Sequence, residues 1–354
     1  MIKRARLVAP LVAMLLVVAA LPLIGIQVGP DSSSTLPQGL ASVKGMAQLQ
    51  AASDGYSNDP TTILVGTNRT VDRSATDAAI GRLDRLLRAD PQVAGVSAPV
   101  PSADSRYLRI DVVSRHDPAS PQGQRFGSQL RAQLIPAARF PARDVVLAGG
   151  GAAYADDFVS RTLTSFPWLI LGVVGLTYLL LVRAFRSLLL PLKAIVLNML
   201  TVSAASGLMI ACFQWGWGSW AGLIRVTQIE SWIPVFMFTL LFGLSMDYEV
   251  FLVSRMREAW DATKTNHGAV VYGIANTGRI ITAAGLIMAA TFSGLMFGSI
   301  PTMQQLGFGL AIAILIDITL VRGLLLPSTM ALAGRWNWYL PRWAGGTPGT
   351  RRSR

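Results

Sequence analysis

Six long apolar runs constrain the fold of this chain more than any other feature of its sequence. Each run has at least 17 residues and can cross the ~30 Å hydrocarbon core of a bilayer as an α-helix. The composition agrees, since 52% of the 354 residues are hydrophobic, 14% are charged and the mean hydropathy is +0.46. We therefore predict an α-helical membrane protein with six transmembrane helices. The runs are residues 7–26, 166–182, 188–213, 232–254, 272–297 and 303–333.

The first apolar run has a second interpretation, because a secretory signal peptide also begins with basic residues followed by an apolar segment. Lys3, Arg4 and Arg6 precede this run. Its 20 residues are long for a signal peptide, and no small-residue cleavage motif separates it cleanly from the polar segment that follows. We favour a transmembrane helix.

Clusters of basic residues flank the runs on one side only. Lys and Arg outnumber Asp and Glu by 31 to 19, yet the segment from Gln27 to Pro167 holds 14 basic and 13 acidic residues. The positive-inside rule then predicts cytoplasmic termini and an extracytoplasmic segment after the first span. A surplus placed in this way indicates membrane topology and not nucleic-acid binding. The clustered basic residues are Arg183, Arg186, Lys193, Arg255, Arg257, Lys264, Arg335, Arg342, Arg351, Arg352 and Arg354.

The segment between the first two spans has the pattern of a folded α+β domain. Strands are predicted at 61–65, 92–98, 107–113 and 144–148, and helices at 72–88, with Asp72 as its cap, and 120–135. The order βαββαβ is that of the ferredoxin-like unit. We expect four regions: residues 1–26, the first transmembrane helix; 27–166, the extracytoplasmic domain; 167–333, a five-helix bundle; and 334–354, a cytoplasmic tail.

Few residues are available for metal or redox chemistry. The chain has one cysteine, Cys212, and two histidines, His116 and His267. This excludes an intramolecular disulfide and a cysteine-based zinc site. The three glycines at 149–151 favour a turn over a phosphate-binding loop, because no Lys-Ser/Thr pair follows them. We expect no metal, no cofactor and no nucleic-acid partner.

Tryptophans cluster near the ends of the predicted spans. Trp215, Trp217, Trp220 and Trp232 are typical of an aromatic belt at the outer membrane interface, with stacking on a substrate as the alternative. The aromatic residues of segment 336–343 predict a similar belt on the inner side.

Two carboxylates lie inside the fourth span. Asp247 follows Trp232 by 15 residues and precedes Arg255 by eight, which places it ~22 Å from the outer end and ~12 Å from the inner end. A central Asp costs ~2.5–3.5 kcal/mol on insertion scales, so we expect it to face the helix bundle and to have a function. A desolvated carboxylate can bind and release protons, and Tyr248 can donate to it or pass the proton on. Glu249 points about 200° away around the helix, and we expect it to find a basic partner.

The last span repeats this anomaly at nearly the same depth. Asp317 lies 14 residues beyond Met303, and Arg322 follows five residues later. Two interpretations stay open for this pair: a part in a proton relay, or a buried ion pair that locks helices together. In the fifth span, Gly285, Ala289 and Ser293 recur at four-residue intervals, which predicts close helix packing.

Several segments resemble the C-terminal half of the MMPL (mycobacterial membrane protein large) family of the RND transporter superfamily. The resemblance covers nearly the whole chain and implies one RND half, in which an extracytoplasmic α+β ferredoxin-like porter domain lies between spans 1 and 2. It also implies a bacterial inner membrane and proton-driven export of lipids or other hydrophobic molecules, with Asp247 and Tyr248 in the proton relay. The resembling segments are residues 184–188, 191–194, 242–249, 277–284 and 317–327.

Proteins of this kind usually carry two such halves, and this chain shows one. We therefore expect a second half-transporter chain in a homo- or hetero-oligomer, or the product of a split or truncated gene. A non-transporting accessory half is the alternative. An intramembrane aspartyl protease is a remote alternative, because the fourth span lacks the Gly-x-Gly-Asp motif of such proteases. We expect a transporter and not an enzyme.

Overall fold

The computed structural model describes residues 4–30, 40–52, 59–66, 73–104 and 106–339. By its internal contacts the chain divides into two compact units, residues 28–164 and the remainder of the chain. The predicted cap Asp72 and the segment from residue 340 onward lie outside the described residues.

The two units are built from the following elements. The α-helices are α1 (Ala5–Ala20), α2 (Ala41–Ala52), α3 (Arg73–Ala89), α4 (Pro121–Gln129), α5 (Ile135–Ala137), α6 (Gly151–Phe185), α7 (Leu189–Phe213), α8 (Ile233–Thr263), α9 (Asn266–Ser293), α10 (Pro301–Ile316) and α11 (Leu326–Ala333). The strands are β1 (Val28–Gly29), β2 (Thr61–Gly66), β3 (Val93–Val96), β4 (Val100–Pro101), β5 (Tyr107–Ser114), β6 (Val145–Gly149) and β7 (Ile229–Glu230). The π-helices are Leu130–Leu134 and Asp317–Leu325, and the 3₁₀-helices are Leu21–Gly25, Ser219–Ala221, Gly294–Phe297 and Gly334–Trp338.

Six helical segments of the described residues are long and apolar enough to cross a membrane, which confirms the predicted number of spans. The second of them is longer than its apolar run, because α6 already begins at Gly151. The last one joins α10, a π-helix, α11 and a 3₁₀-helix without a break. The segments are Ala5–Gly25, Gly151–Phe185, Leu189–Phe213, Ile233–Thr263, Asn266–Phe297 and Pro301–Trp338.

Local signals set the ends of several membrane helices. Pro234 and Pro301 lie in the first turns of α8 and α10, where proline fits because a backbone N–H is not needed there. Lys264 ends α8 in a left-handed conformation with a φ of 54°. This turn lets α9 begin two residues later, at Asn266.

The apolar core of the membrane unit lies around α7, α8 and the last span. Met209, Phe213, Phe238 and Phe242 are fully buried there. By contrast, few side chains in the apolar part of α6 are fully buried by the rest of the chain, as expected for a helix that borders lipid.

Small residues bring neighbouring helices of this unit into close contact. A Cβ atom at Gly207 of α7 would collide with the backbone of Ala19 in α1, and one at Gly285 of α9 would collide with Ile318 of the last span. The predicted packing role of the small residues in the fifth span therefore has a definite neighbour at Gly285.

The sheet of residues 28–164 is antiparallel with the strand order β3-β5-β2-β6, and β4 pairs with β5. In β2, Ile63 and Val65 are fully buried, whereas Thr62, Leu64 and Gly66 are partly covered. They pack in one apolar cluster with Leu83 of α3 and Phe126 of α4. This alternation results from the two-residue period of a strand that has one face covered.

The elements of this domain differ from the sequence prediction in detail. The third strand ends at Val96, and a separate strand, β4, follows it. The second long helix is interrupted by a π-helix at Leu130–Leu134, and α2 was not predicted. At the end of β6, Gly150 and Gly151 have φ angles of 67° and 35°, so these glycines form the turn into α6.

The tryptophans near the span ends have different environments. Trp215, Trp217 and Trp220 are exposed in the chain. Trp338, predicted as part of an inner belt, is instead buried, stacks on Trp260 at 5.3 Å and donates its indole N–H to Asn266 Oδ1 at 3.0 Å. This part of the predicted belt is wrong, because the residue is used to pack the end of the last span against α8 and α9.

The close approach of α1 and α7 predicts that Gly207→Ala destabilises the full chain. We expect a loss of about 1–3 kcal/mol in the free energy of unfolding, because the added methyl group must push two backbones apart. Gly172→Ala in α6 is the matched control, since no atom lies within 4 Å of its Cβ position. Denaturation in mild detergent measures both variants, and equal stability of the two would contradict the close contact.

Candidate functional site

The buried face of α8 decides where its charged residues point. Phe238, Phe242, Ser245, Glu249 and Leu252 are buried at intervals of three or four residues, as expected for one face of a helix. Asp247 lies between Ser245 and Glu249 in the sequence, but its side chain is exposed in the chain. The expectation that Asp247 faces the other five spans of this chain is therefore wrong. The reason is the period of the helix, which turns residue 247 about 200° away from buried residues 245 and 249.

Asp247 has no hydrogen bond or ion pair with any other residue that the structure describes. Its exposed neighbours on the same face are Thr239, Gly243, Val250 and Phe251. The polar atom of Thr239 is satisfied within the helix, because its hydroxyl donates to the carbonyl of Val235 at 2.9 Å. Asp247 is thus the one charged residue among these five, and the hydroxyl of its polar neighbour Thr239 already has a hydrogen-bond partner.

The last span forms a π-helix at the point where its charged residues occur. Asp317 begins this segment and Arg322 follows five residues later. On an α-helix a spacing of five would place the two side chains about 140° apart. In a π-helix the backbone hydrogen bonds join residues five apart, which brings the two side chains to the same side.

The resulting ion pair is short and buried. Arg322 Nε lies 2.7 Å from Asp317 Oδ2, and the two residues are 7% and 6% exposed. Because both charges are removed from water, each depends on the other to offset its desolvation. The structure thus brings together two of the residues that the sequence analysis selected.

Ser245 is a site residue that the sequence analysis did not select. Its hydroxyl donates to Asp317 Oδ2 at 2.8 Å, and its backbone oxygen accepts a hydrogen bond from Arg322 Nη2. The Ser245 side chain and backbone therefore hold both members of the ion pair. Serine inside an apolar helix is the signal that could have identified it, since a membrane-buried hydroxyl needs a partner.

Tyr248 and Glu249 both lie near the ion pair. The Arg322 guanidinium lies 5.6 Å from the centre of the Tyr248 ring, and the tyrosine hydroxyl lies 3.4 Å from the Met288 sulfur. Arg322 Nη1 is buried without a hydrogen-bond partner, so the ring face is its favourable neighbour. Glu249 is 5% exposed, and the charges of Arg322 and Asp317 act on it. Arg322 is thus its basic neighbour, although the two form no ion pair.

This arrangement places several protonatable groups at one depth. Asp247 lies two residues, or about 3 Å of helix rise, beyond the Ser245 that contacts Asp317. The Asp247 carboxylate lies on the exposed face of α8, whereas Asp317 contacts its buried face, so the two share no hydrogen bond. An aspartyl protease needs two adjacent carboxylates that share a proton. Within the described residues there is also no cluster of His, Cys, Asp or Glu suited to a metal ion.

The sequence model of the MMPL family matches residues 34–352. This chain belongs to the MMPL family. This match confirms the resemblance that was inferred from the membrane segments. It also agrees with a multi-pass membrane protein of a transporter family.

Several curated relatives of the chain are named as transport proteins of mycobacteria. The chain is 36% identical over 269 residues to the mycolic acid-containing lipids exporter MmpL11 of Mycolicibacterium smegmatis, covering 76% of this chain and 28% of that protein. It is 35% identical over 317 residues to the heme uptake protein MmpL11 of Mycobacterium tuberculosis, covering 88% and 32%. It is 30% identical over 345 residues to the trehalose monomycolate exporter MmpL3 of M. smegmatis, covering 94% and 33%. The chain thus spans about a third of the length of these relatives.

The buried ion pair predicts a marked difference between single and double substitutions. Asp317→Leu leaves the Arg322 charge buried and unpaired, and we expect it to lower the free energy of unfolding by about 3–5 kcal/mol. Asp317→Leu combined with Arg322→Leu removes both charges and should recover most of this loss. Unfolding by denaturant in mild detergent measures all variants.

Asp261→Leu is the control for this experiment. Asp261 pairs with Arg257 and Lys264 at an exposed end of α8, where such pairs contribute only about 0–1 kcal/mol. A double variant that is no more stable than Asp317→Leu alone would show that the charge balance is not what stabilises this site.

Proposed function

We propose that this chain is one half of a proton-driven exporter of lipids or other hydrophobic molecules, with Asp247 and Tyr248 in its proton relay. The observation that carries the proposal is the exposed Asp247 carboxylate, deep in a membrane span and next to a buried charged cluster. A carboxylate in hydrocarbon costs several kcal/mol when it is charged, and a proton neutralises it. Binding and release of a proton at Asp247 therefore changes the energy of this helix face strongly.

The energy available from protons matches the task. One elementary charge that crosses a potential of 100 mV releases about 2.3 kcal/mol, to which a pH gradient adds. A bias of this size shifts an equilibrium between two conformations appreciably, though not completely. A change in the charge of Asp247 reaches the last span through Ser245, because Ser245 lies within one turn of Asp247 on α8 and contacts Asp317.

The exposed face of α8 supports a second half as partner. A charge at this depth is stable only against protein or water, and no residue described in this chain covers it. Gly243 lies one turn before Asp247 and has no atom within 4 Å of its Cβ position, so another helix can approach the backbone closely there. The partner is a homologous half that presents its own membrane helix to this face, in a homo- or hetero-oligomer.

We assign the α+β unit to a porter domain of the ferredoxin-like kind, outside a bacterial inner membrane, with both chain termini cytoplasmic. The strand order β3-β5-β2-β6 and the covering of one sheet face by α3 and α4 support the fold. The placement of basic residues between the membrane helices supports the orientation.

The cargo is a lipid or a comparably hydrophobic molecule. The names of two relatives specify mycolic acid-containing lipids and trehalose monomycolate, and a third specifies heme. These cargoes share a large apolar part, and the proposal for this chain extends no further than that shared property.

Substitution of Asp247 tests the relay. We expect Asp247→Asn to abolish proton-driven export from the native host, because the amide keeps the shape of the side chain and cannot be protonated in its place. Tyr248→Phe should reduce export less, because it removes one hydroxyl and leaves the carboxyl group. Transfer of a radiolabelled lipid fraction to the outside of the cell measures both effects.

Glu258→Gln is the matched control, since it removes an exposed carboxylate near the end of the same helix. Export by Asp247→Asn at the rate of this control would contradict the proposed proton relay and favour a non-transporting accessory half.

The partner can be located with a photoreactive amino acid. Placed at Thr239, on the Asp247 face of α8, it should cross-link to a second copy of this chain or to a homologous half. Placed at Ile287, which is exposed on α9, it should cross-link to lipid. Mass spectrometry of the adducts separates the results, and lipid adducts alone at Thr239 would contradict the proposed interface.

A further inference from the structure

A small cavity lies beside the ion pair, between α7, α8, α9 and the last span. It leaves about 10 Å³ for the centre of a water-sized sphere, which is enough for one water molecule. The polar residues on its wall are Asn198 and Thr201 of α7, Ser245 and Tyr248 of α8, and Asp317.

Two polar atoms at this cavity lack partners. Asn198 is 2% exposed, and its Nδ2 is buried without an acceptor. Asp317 Oδ2 accepts hydrogen bonds from Ser245 and Arg322, whereas Oδ1 accepts none from the residues that the structure describes. A buried amide donor without a partner is unfavourable, and a carboxylate oxygen that makes no hydrogen bond is still able to accept one.

A third group can complete the site. The Thr201 hydroxyl donates to the carbonyl of Leu197 at 3.0 Å, so its oxygen is still able to accept a hydrogen bond. The cavity thus offers one donor and two acceptors to a molecule the size of water. Buried waters in proteins make about three hydrogen bonds, so the number of partners fits as well as the volume.

We propose that this cavity is a binding site for a single water molecule, which accepts from Asn198 Nδ2 and donates to Asp317 Oδ1 and to Thr201 Oγ1. The water joins α7 to the ion pair, which the direct contacts connect only to α8. Asn198 is then a positioning residue that acts on Asp317 through the water. The consequence for transport rests on the proposed function: the water couples the charge of Asp317 to α7, so a change of that charge in the transport cycle acts on α7 as well as on α8.

Infrared difference spectroscopy of the full chain in lipid nanodiscs tests the site. A single buried water gives an O–H stretching band that shifts when H₂¹⁶O is exchanged for H₂¹⁸O. We expect this band in the wild type and its loss in Asn198→Leu. Asn276→Leu is the matched control, because Asn276 lies on α9 outside the cavity and donates to its own helix. The absence of an isotope-shifted band from the wild type, or its persistence in Asn198→Leu, would overturn the proposal.

Thermal unfolding gives an independent readout. If the cavity is dry, Asn198→Leu replaces an unsatisfied amide by an apolar side chain, and the midpoint rises. If the water is bound, the substitution removes a partner from Asp317 and Thr201, and the midpoint falls relative to Asn276→Leu. Thr201→Val, which keeps the shape of the side chain, should weaken the water band and serves if Asn198→Leu does not fold. An unchanged band in Thr201→Val would count against the site.

The test separates this site from the proposed relay. Asp247 does not line the cavity, so Asp247→Asn should keep the water band whether or not it exports lipid. A water band together with normal export by Asp247→Asn would refute the relay and leave the water site in place. Loss of export in Asp247→Asn without any water band in the wild type would refute the water site and leave the relay in place.

Discussion

The buried pair of Asp317 and Arg322 is the interaction on which the membrane unit depends. Neither charge is tolerable alone at this depth, and the short contact between them requires the π-helix that puts residues five apart on one side. Ser245 then ties the pair to α8 by its hydroxyl and its backbone oxygen. The packing of Gly285 against Ile318 holds the same π-helix against α9.

A consequence of this arrangement is that α8 has two charged faces with different roles. Its buried face carries Ser245 and Glu249 and belongs to the electrostatic core of the chain. Its exposed face carries Asp247, which the chain itself does not compensate. In our account the first face transmits a change in charge to the last span, and the second face receives the proton at an interface with another half.

The sequence predicts those elements of the fold that produce a regular pattern of apolar residues. It does not predict elements whose backbone departs from regular α-helix or strand geometry. The six spans and the strands Thr61–Gly66 and Tyr107–Ser114 follow from runs and alternation that burial imposes. The π-helix leaves no comparable signal, so the pairing of Asp317 with Arg322 stayed one of two interpretations. The sequence did not reveal that Asp247 points outward. The cost of inserting a carboxylate into a membrane indicates that Asp247 needs a polar neighbour, but this cost is the same whether that neighbour belongs to this chain or to another. Ser245 was missed because its role comes from a contact between helices 72 positions apart in sequence.

The most direct test of the central claim is a measurement of proton flux through the assembly purified from its host and reconstituted into vesicles that contain a pH-sensitive dye. With a pH gradient and cargo present, we expect cargo-dependent proton flux in the wild type and in Glu258→Gln. We expect no flux above that of empty vesicles in Asp247→Asn. Flux in Asp247→Asn equal to that of the wild type would contradict the claim that this carboxylate carries the proton.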